Sequence, residues 1–122
     1  IADRFLFTGF LHGEDVYRML KASDVYVMPS VSEPFGISPL EAMQCGVPTI
    51  ISKQSGCSEI LNNTIKIDYW DIEAMADAMY SIVSNPSLYD FLHKEGKKEV
   101  DEIKWEYAAL KLRRIYDMVL GH

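Results

Sequence analysis

Apolar residues fall along this chain in two alternating textures. Short runs rich in β-branched side chains, Phe5-Leu6-Phe7-Thr8-Gly9, Asp24-Val25-Tyr26-Val27-Met28-Pro29 and Val47-Pro48-Thr49-Ile50-Ile51-Ser52, have the near-continuous apolarity of strands buried on both faces. Thr64-Ile65-Lys66-Ile67-Asp68 alternates apolar with polar instead, which predicts a strand nearer a sheet edge. Helical spacing separates these runs. Glu14 to Ala22 puts Val16, Met19 and Leu20 on one face, Pro39 to Cys45 is a second helix, and a short turn is expected around Ser58 to Leu61. Strand and helix alternating at this spacing imply right-handed crossovers and an open, parallel α/β sheet of about four strands, whose ligands bind beyond the carboxyl ends.

The later part of the chain reads as helix throughout. Asp71 to Ser84 carries Ile72, Met75, Ala76, Met79, Ile82 and Val83 as a stripe of period 3.6, with Asp71 as N-cap. Asn85-Pro86 ends it and starts the next helix, Asn85 as N-cap and Pro86 at the first helical position, with Leu88, Phe91 and Leu92 as its apolar residues. After Gly96 the pattern resumes, and Ala108, Leu112, Ile115 and Val119 share one face of a terminal helix. No internal repeat is present.

Composition narrows the picture. At 122 residues the chain is one domain at most, and 48% hydrophobic residues exclude a disordered or low-complexity protein. No apolar run approaches the roughly 20 residues of a membrane span, and no basic stretch followed by an apolar one marks a leader. The net charge is −6, which argues against nucleic-acid binding. Seven of the twelve basic residues lie between Lys94 and Arg114, but Glu95, Glu99, Asp101, Glu102 and Glu106 interleave with them, the pattern of a solvated helix face with i,i+4 pairs. Cys45 and Cys57 read as buried, reduced thiols of a cytosolic protein, and His12, His93 and His122 show no ligand spacing, so no metal site is expected. Because the chain opens on Ile1 with a strand-like run close behind, the first part of its domain is expected upstream.

The chemistry concentrates in one loop. Four of the five prolines, Pro29, Pro34, Pro39 and Pro48, lie within twenty residues of each other, and the loop runs from the end of the strand through Val27 to the start of a helix. Ser38, Pro39 and Glu41 read as N-cap, N1 and N3 of that helix, a capping box. Gly36 and Ile37 just before it would let a ligand reach backbone N–H groups at a helix N-terminus, an anion site suited to phosphate. Glu33 precedes a proline, is therefore extended, and has no basic neighbour, since Lys and Arg are absent from Ala22 to Ser52. A carboxylate there makes sense as an acceptor for neutral hydroxyls. Glu33 and Glu41, eight residues apart, would then hold a sugar at one end of a phosphate cradle and a ribose at the other.

The run Glu33-Pro34-Phe35-Gly36-Ile37-Ser38-Pro39-Leu40-Glu41 resembles the E-x7-E motif of retaining glycosyltransferases of the GT-B fold, above all glycosyltransferase family 4, or group 1. The resemblance extends in order and spacing through Phe7-x-Gly9, Ala22-x-Asp24, Pro29-Ser30, Glu41-Ala42-Met43, Gly46-x-Pro48 and Gly56-x-x-Glu59-Ile60, covering residues 3–84. Glycogen and starch synthases share the E-P-x-G opening but usually lack the second glutamate, so Glu41 favours family 4 over a synthase-like member.

This resemblance implies part of a Rossmann-like C-terminal domain that binds a nucleotide-sugar donor. Glu33 would bond the donor hexose hydroxyls and act as the catalytic carboxylate. The backbone of Phe35, Gly36 and Ile37, with Ser38, would hold sugar and diphosphate, and Glu41 would take the ribose in preference to its capping role. The implied partners are the donor, a saccharide or lipid-linked acceptor, and an N-terminal acceptor domain of the same polypeptide. Neither metal nor cofactor is implied. The family's upstream Arg and Lys pair has no match here, so this chain alone is expected to be inactive. The expected location is cytoplasmic, with peripheral attachment to a membrane left open for the longer protein. Two alternatives come from other classes: a glycoside hydrolase using Glu33 and Glu41 as its carboxylate pair, and a noncatalytic sugar- or nucleotide-binding module.

Overall fold

The computed structural model describes residues 13–29 and 39–120, and along the last helix it describes side chains to Ile103 and again at Arg113, Met118 and Val119. The expected strand Phe5–Gly9 lies outside the described residues. The three other expected strands are present: β1 (Tyr26–Met28), β2 (Thr49–Ser52) and β3 (Ile65–Ile67), paired in parallel in the order β1-β2-β3. Tyr26 faces Thr49 and Met28 faces Ile51 in the first pair, while Ile50 faces Ile65 and Ser52 faces Ile67 in the second. β3, the alternating run, lies at one edge of the described sheet and β1 at the other.

The continuous apolarity of β2 has a direct structural cause. All four of its residues are buried, because helices cover both faces of the sheet. Ile50 enters a cluster with Ile67, Ala78, Ile82 and Leu92 on one face, while Ile51 enters another with Met28, Met43, Leu61 and Val100 on the opposite face. A polar pair within is satisfied internally: the Thr49 hydroxyl donates to Thr64 Oγ1 at 2.7 Å, and the Thr64 hydroxyl donates to the Thr49 carbonyl at 2.9 Å.

Four helices surround the sheet: α1 (Glu14–Lys21), α2 (Pro39–Gln44), α3 (Ile72–Ser84) and α4 (Pro86–Leu120). A 3₁₀ turn at Gly56–Glu59 stands where the short turn is expected, two residues earlier. The caps follow the sequence. Asp71 Oδ1 accepts from the Ala74 N–H at 3.0 Å, and Asn85 Oδ1 accepts from Ser87 and Leu88 at 3.1 and 3.2 Å, while the Asn85 N–H itself closes α3 onto the Ser81 carbonyl. One residue ends a helix and begins the next.

Four expectations are corrected here. First, α4 does not break at Gly96 but runs 35 residues straight through it. Gly96 is buried, and a Cβ there would meet the Met43 methyl at 3.5 Å and the Asn63 carbonyl at 3.7 Å, ordinary contact distances, so the glycine lies in a packed stretch of helix rather than at a helix end. Second, the apolar stripe of α3 is only half used. Ala78 and Ile82 are buried with Ala74 and Met75 packed beside them, whereas Ile72, Ala76, Met79 and Val83 are exposed. The buried arc lies opposite Glu73 and Asp77, and its Ala78 and Ile82 share a cluster with Leu92 of α4. Phe91, expected with Leu88 and Leu92, is also exposed. The two cysteines form no disulfide and are half-buried rather than buried.

Leu92 belongs to one core cluster and Val100 to the other, so α4 passes from one face of the sheet to the opposite face. It does so beneath the amino ends of the strands. His93 Nδ1 lies 2.6 Å from the carbonyl of Gly46, which precedes β2, and because a carbonyl only accepts, Nδ1 carries the proton. Glu99 accepts from the Asn62 and Asn63 N–H groups, both at 2.7 Å, and from Asn63 Nδ2 at 3.0 Å, just before β3.

Candidate functional site

With α4 beneath the amino ends, the carboxyl ends of the strands form the opposite rim, the place where open α/β sheets bind ligands. In a βαβ unit the connecting helix begins where its strand ends, so the first turn of α2 stands at this rim. α2 starts at Pro39, and Glu41, half-buried, is the acidic residue of its first turn. Leu40 packs against the cluster of Met28, Met43, Ile51, Leu61 and Val100, and so does Cys57 of the 3₁₀ turn. The two sides of the rim therefore rest on one floor.

At the ends of β2 and β3 the rim is a closed polar network. The Ser52 hydroxyl donates to Gln54 Oε1 at 3.0 Å and accepts from the Gln54 N–H at 3.1 Å. The same Oε1 accepts from the Tyr69 N–H at 3.0 Å, and Gln54 Nε2 donates to Asp68 Oδ1 at 2.9 Å. Lys53 Nζ lies 3.8 Å from Asp68 Oδ2, a partly solvated pair worth little to stability. The Ser55 hydroxyl donates to the Ser52 carbonyl at 2.8 Å, and Ser58 Oγ lies 2.6 Å from the Lys53 carbonyl. Sheet end and 3₁₀ turn thus hold a single shape, with no buried side-chain polar atom unsatisfied among the described residues. Tyr69 and Trp70 stand exposed at the end of β3, edge to face with centroids 4.9 Å apart.

Of the site residues read from the sequence, the structure places Glu41 at this rim. Glu33, Phe35, Gly36, Ile37 and Ser38 lie outside the described residues. The helix that follows them is six residues long. Its contribution to an anion site therefore rests on the first-turn N–H groups themselves, since a short helix sums few peptide dipoles.

Sequence reasoning passed over Ser52, Gln54 and Asp68, whose role in shaping the rim appears only when β2 and β3 are side by side. It also passed over His93, in which it found no ligand spacing, and Glu99, read as part of a solvated helix face. The signal for His93 was present in Gly46, whose φ of +78° and want of a Cβ make room for the imidazole. Depressions away from the rim hold none of the expected residues: one of about 440 Å³ lies between Ile82, Val83, Pro86 and Asp90, and another of about 400 Å³ runs along His93, Lys97 and Asp101. Among the described residues no group of three or more His, Cys, Asp or Glu could hold a metal ion, and no helix is long and apolar enough to cross a membrane.

The family model described as "Glycosyl transferases group 1" matches residues 1–99, from the amino terminus through the loop and sheet into α4. An uncharacterized glycosyltransferase of Methanocaldococcus jannaschii is 28% identical over 98% of this chain and 32% of its own length. D-inositol 3-phosphate glycosyltransferase of Rhodococcus jostii is 35% identical over 85% of this chain and 23% of its own length. The solved structure of sucrose-phosphate synthase from Thermosynechococcus elongatus superposes with a TM-score of 0.82 at 31% identity, over 98% of this chain and 31% of that one. The chain spans about a third or less of each of these proteins.

Proposed function

This chain belongs to the group 1 glycosyl transferases, and on that premise we propose that the longer polypeptide transfers a hexose from a nucleoside diphosphate sugar to a saccharide or other hydroxyl acceptor with retention at the anomeric carbon. This chain would be the later part of its C-terminal donor domain, and the acceptor domain would lie elsewhere on the same polypeptide. The observation that carries the reading is the match of the family across the whole segment from the loop to α4, with the first turn of α2 at the carboxyl rim. The relatives bear different substrate names over this shared segment. That is the pattern expected if the segment holds what they have in common, the donor.

In this reading Glu33 accepts hydrogen bonds from the hexose hydroxyls and fixes the sugar ring. The N–H groups of Phe35, Gly36 and Ile37, with Ser38, meet the diphosphate, on which negative charge builds as its bond to the anomeric carbon breaks. Glu41 takes the ribose hydroxyls. No metal or cofactor is needed from these residues. Because the cationic pair of the family has no counterpart here, this chain alone binds donor weakly and does not catalyse transfer. The hydrolase alternative draws no support from the family match.

Glu33→Gln in the full-length protein tests the central assignment. Transfer should fall about a hundred-fold or more with the circular dichroism spectrum unchanged. A variant that transfers at the original rate removes Glu33 from the site.

A further inference from the structure

An aromatic pair stands on the rim where open α/β sheets take their ligands. Tyr69 is 49% exposed and Trp70 62%, and they follow closely on β3. Single exposed apolar side chains are ordinary, but these two brace each other edge to face, with centroids 4.9 Å apart. The backbone that carries them is tied down as well. The Tyr69 N–H donates to Gln54 Oε1 at 3.0 Å, the Asp71 N–H to the Asp68 carbonyl at 2.9 Å and the Ile72 N–H to the Trp70 carbonyl at 3.1 Å. Little ordering entropy therefore opposes a ligand that lands on the rings.

The groups beside the rings say what fits them. Asp68 Oδ1 accepts from Gln54 Nε2 at 2.9 Å, while Lys53 Nζ stands 3.8 Å from Asp68 Oδ2, too far for a hydrogen bond, with its side chain 55% exposed. The ammonium can thus donate to a ligand, and the carboxylate has lone pairs to spare. A sugar ring answers both kinds of surface, since its C–H face lies against an aromatic ring while its hydroxyls bond polar groups at the edge. A lipid surface would want cations around the rings, whereas Asp68, Asp71 and Glu73 flank them. The exposed apolar positions of α3 beyond Ile72 lead away from the rim toward α4 and form no part of this platform.

Position says which sugar. Adjacent strands lie about 4.8 Å apart, so the end of β3 stands about 10 Å from the end of β1, where the loop bearing Glu33 departs. A platform there lies beyond the hexose being transferred and suits a residue further along a saccharide chain. We infer that Tyr69 and Trp70 form a subsite for an oligosaccharide acceptor, holding a sugar remote from the reacting hydroxyl. The choice of a saccharide rests on the glycosyl-transfer reading above.

The test presents the full-length protein, without donor, to an array of defined glycans from monosaccharides to hexasaccharides. The parent should retain glycans longer than a disaccharide. Trp70→Ala should weaken their binding about tenfold or more, and Trp70→Phe, which keeps a ring, should recover most of the loss, with all three proteins unfolding at the same urea midpoint. Because binding here needs no turnover, the two readings fail separately. A parent that retains glycans but transfers from no nucleotide sugar sinks the transfer reading and upholds the subsite. A parent that retains no oligosaccharide overturns the subsite whether or not it transfers, and so do glycans held equally well by Trp70→Ala. If Trp70→Ala instead weakens nucleoside diphosphate binding and spares the glycans, the rings stack a base and the inference falls.

Discussion

The two ends of the sheet are built in opposite ways. Beneath the amino ends, contacts come from far along the chain: His93 reaches Gly46 across 47 residues, and Glu99 reaches Asn62 and Asn63 across 37 and 36. At the carboxyl rim the bonds that shape the surface are mostly local, within Ser52–Ser58 and across to Asp68 and Tyr69. Substitutions at the amino end should therefore cost folding, and those at the rim should cost ligand. The division lets a family vary what it binds without dismantling what holds it together.

The largest effect on stability should come from Gly46→Ala. Its Cβ would sit 2.5 Å from the His93 ring, at a φ of +78°, and urea unfolding should show a loss of about 2–4 kcal/mol. Glu99→Ala follows, because three donors lose one carboxylate; about 2 kcal/mol is expected, with Glu99→Gln recovering part of it. For either variant the folded fraction should keep the parent's donor affinity. Glu41→Ala reverses the pattern: stability falls by no more than about 1 kcal/mol, while the donor KM of the full-length protein rises about tenfold. A tenfold KM change from Glu99→Ala, or none from Glu41→Ala, would collapse the distinction between the two ends. The smallest effect has the opposite sign. Gly96→Ala places its methyl at ordinary contact distance from Met43, so relief of helix-interior glycine should stabilise by about 0.5–1 kcal/mol.

What could be read from the sequence divides along the same line. β1, β2 and β3, the caps at Asp71 and Asn85 and the start of α2 at Pro39 were all legible, because each follows from neighbours a few residues apart. So was the motif that placed the chain in its family. The continuity of α4 through Gly96 was not, since what surrounds that glycine is Met43 and Asn63, far back in the chain. Nor was the partition of the α3 stripe. Periodicity shows that Ile72 and Ile82 both lie on apolar arcs, but only the placement of Leu92 decides which arc is covered. At the site, Glu41 could be located from its position in a capping sequence, whereas the Ser52–Gln54–Asp68 network depends on the register of two strands and leaves no trace in local spacing.

The course of α4 beneath the sheet also sets the order in which this piece can be completed during synthesis. Leu92 closes one core and Val100 the other, and both leave the ribosome after β1, β2 and β3 have been made. Until then the nascent sheet has its rim chemistry but an open underside, and each of its two cores lacks the residue that α4 supplies. Final consolidation therefore waits on the last helix, and a polypeptide stalled or cleaved in the hinge at Asn85 would carry the family's motif on a scaffold that cannot shut.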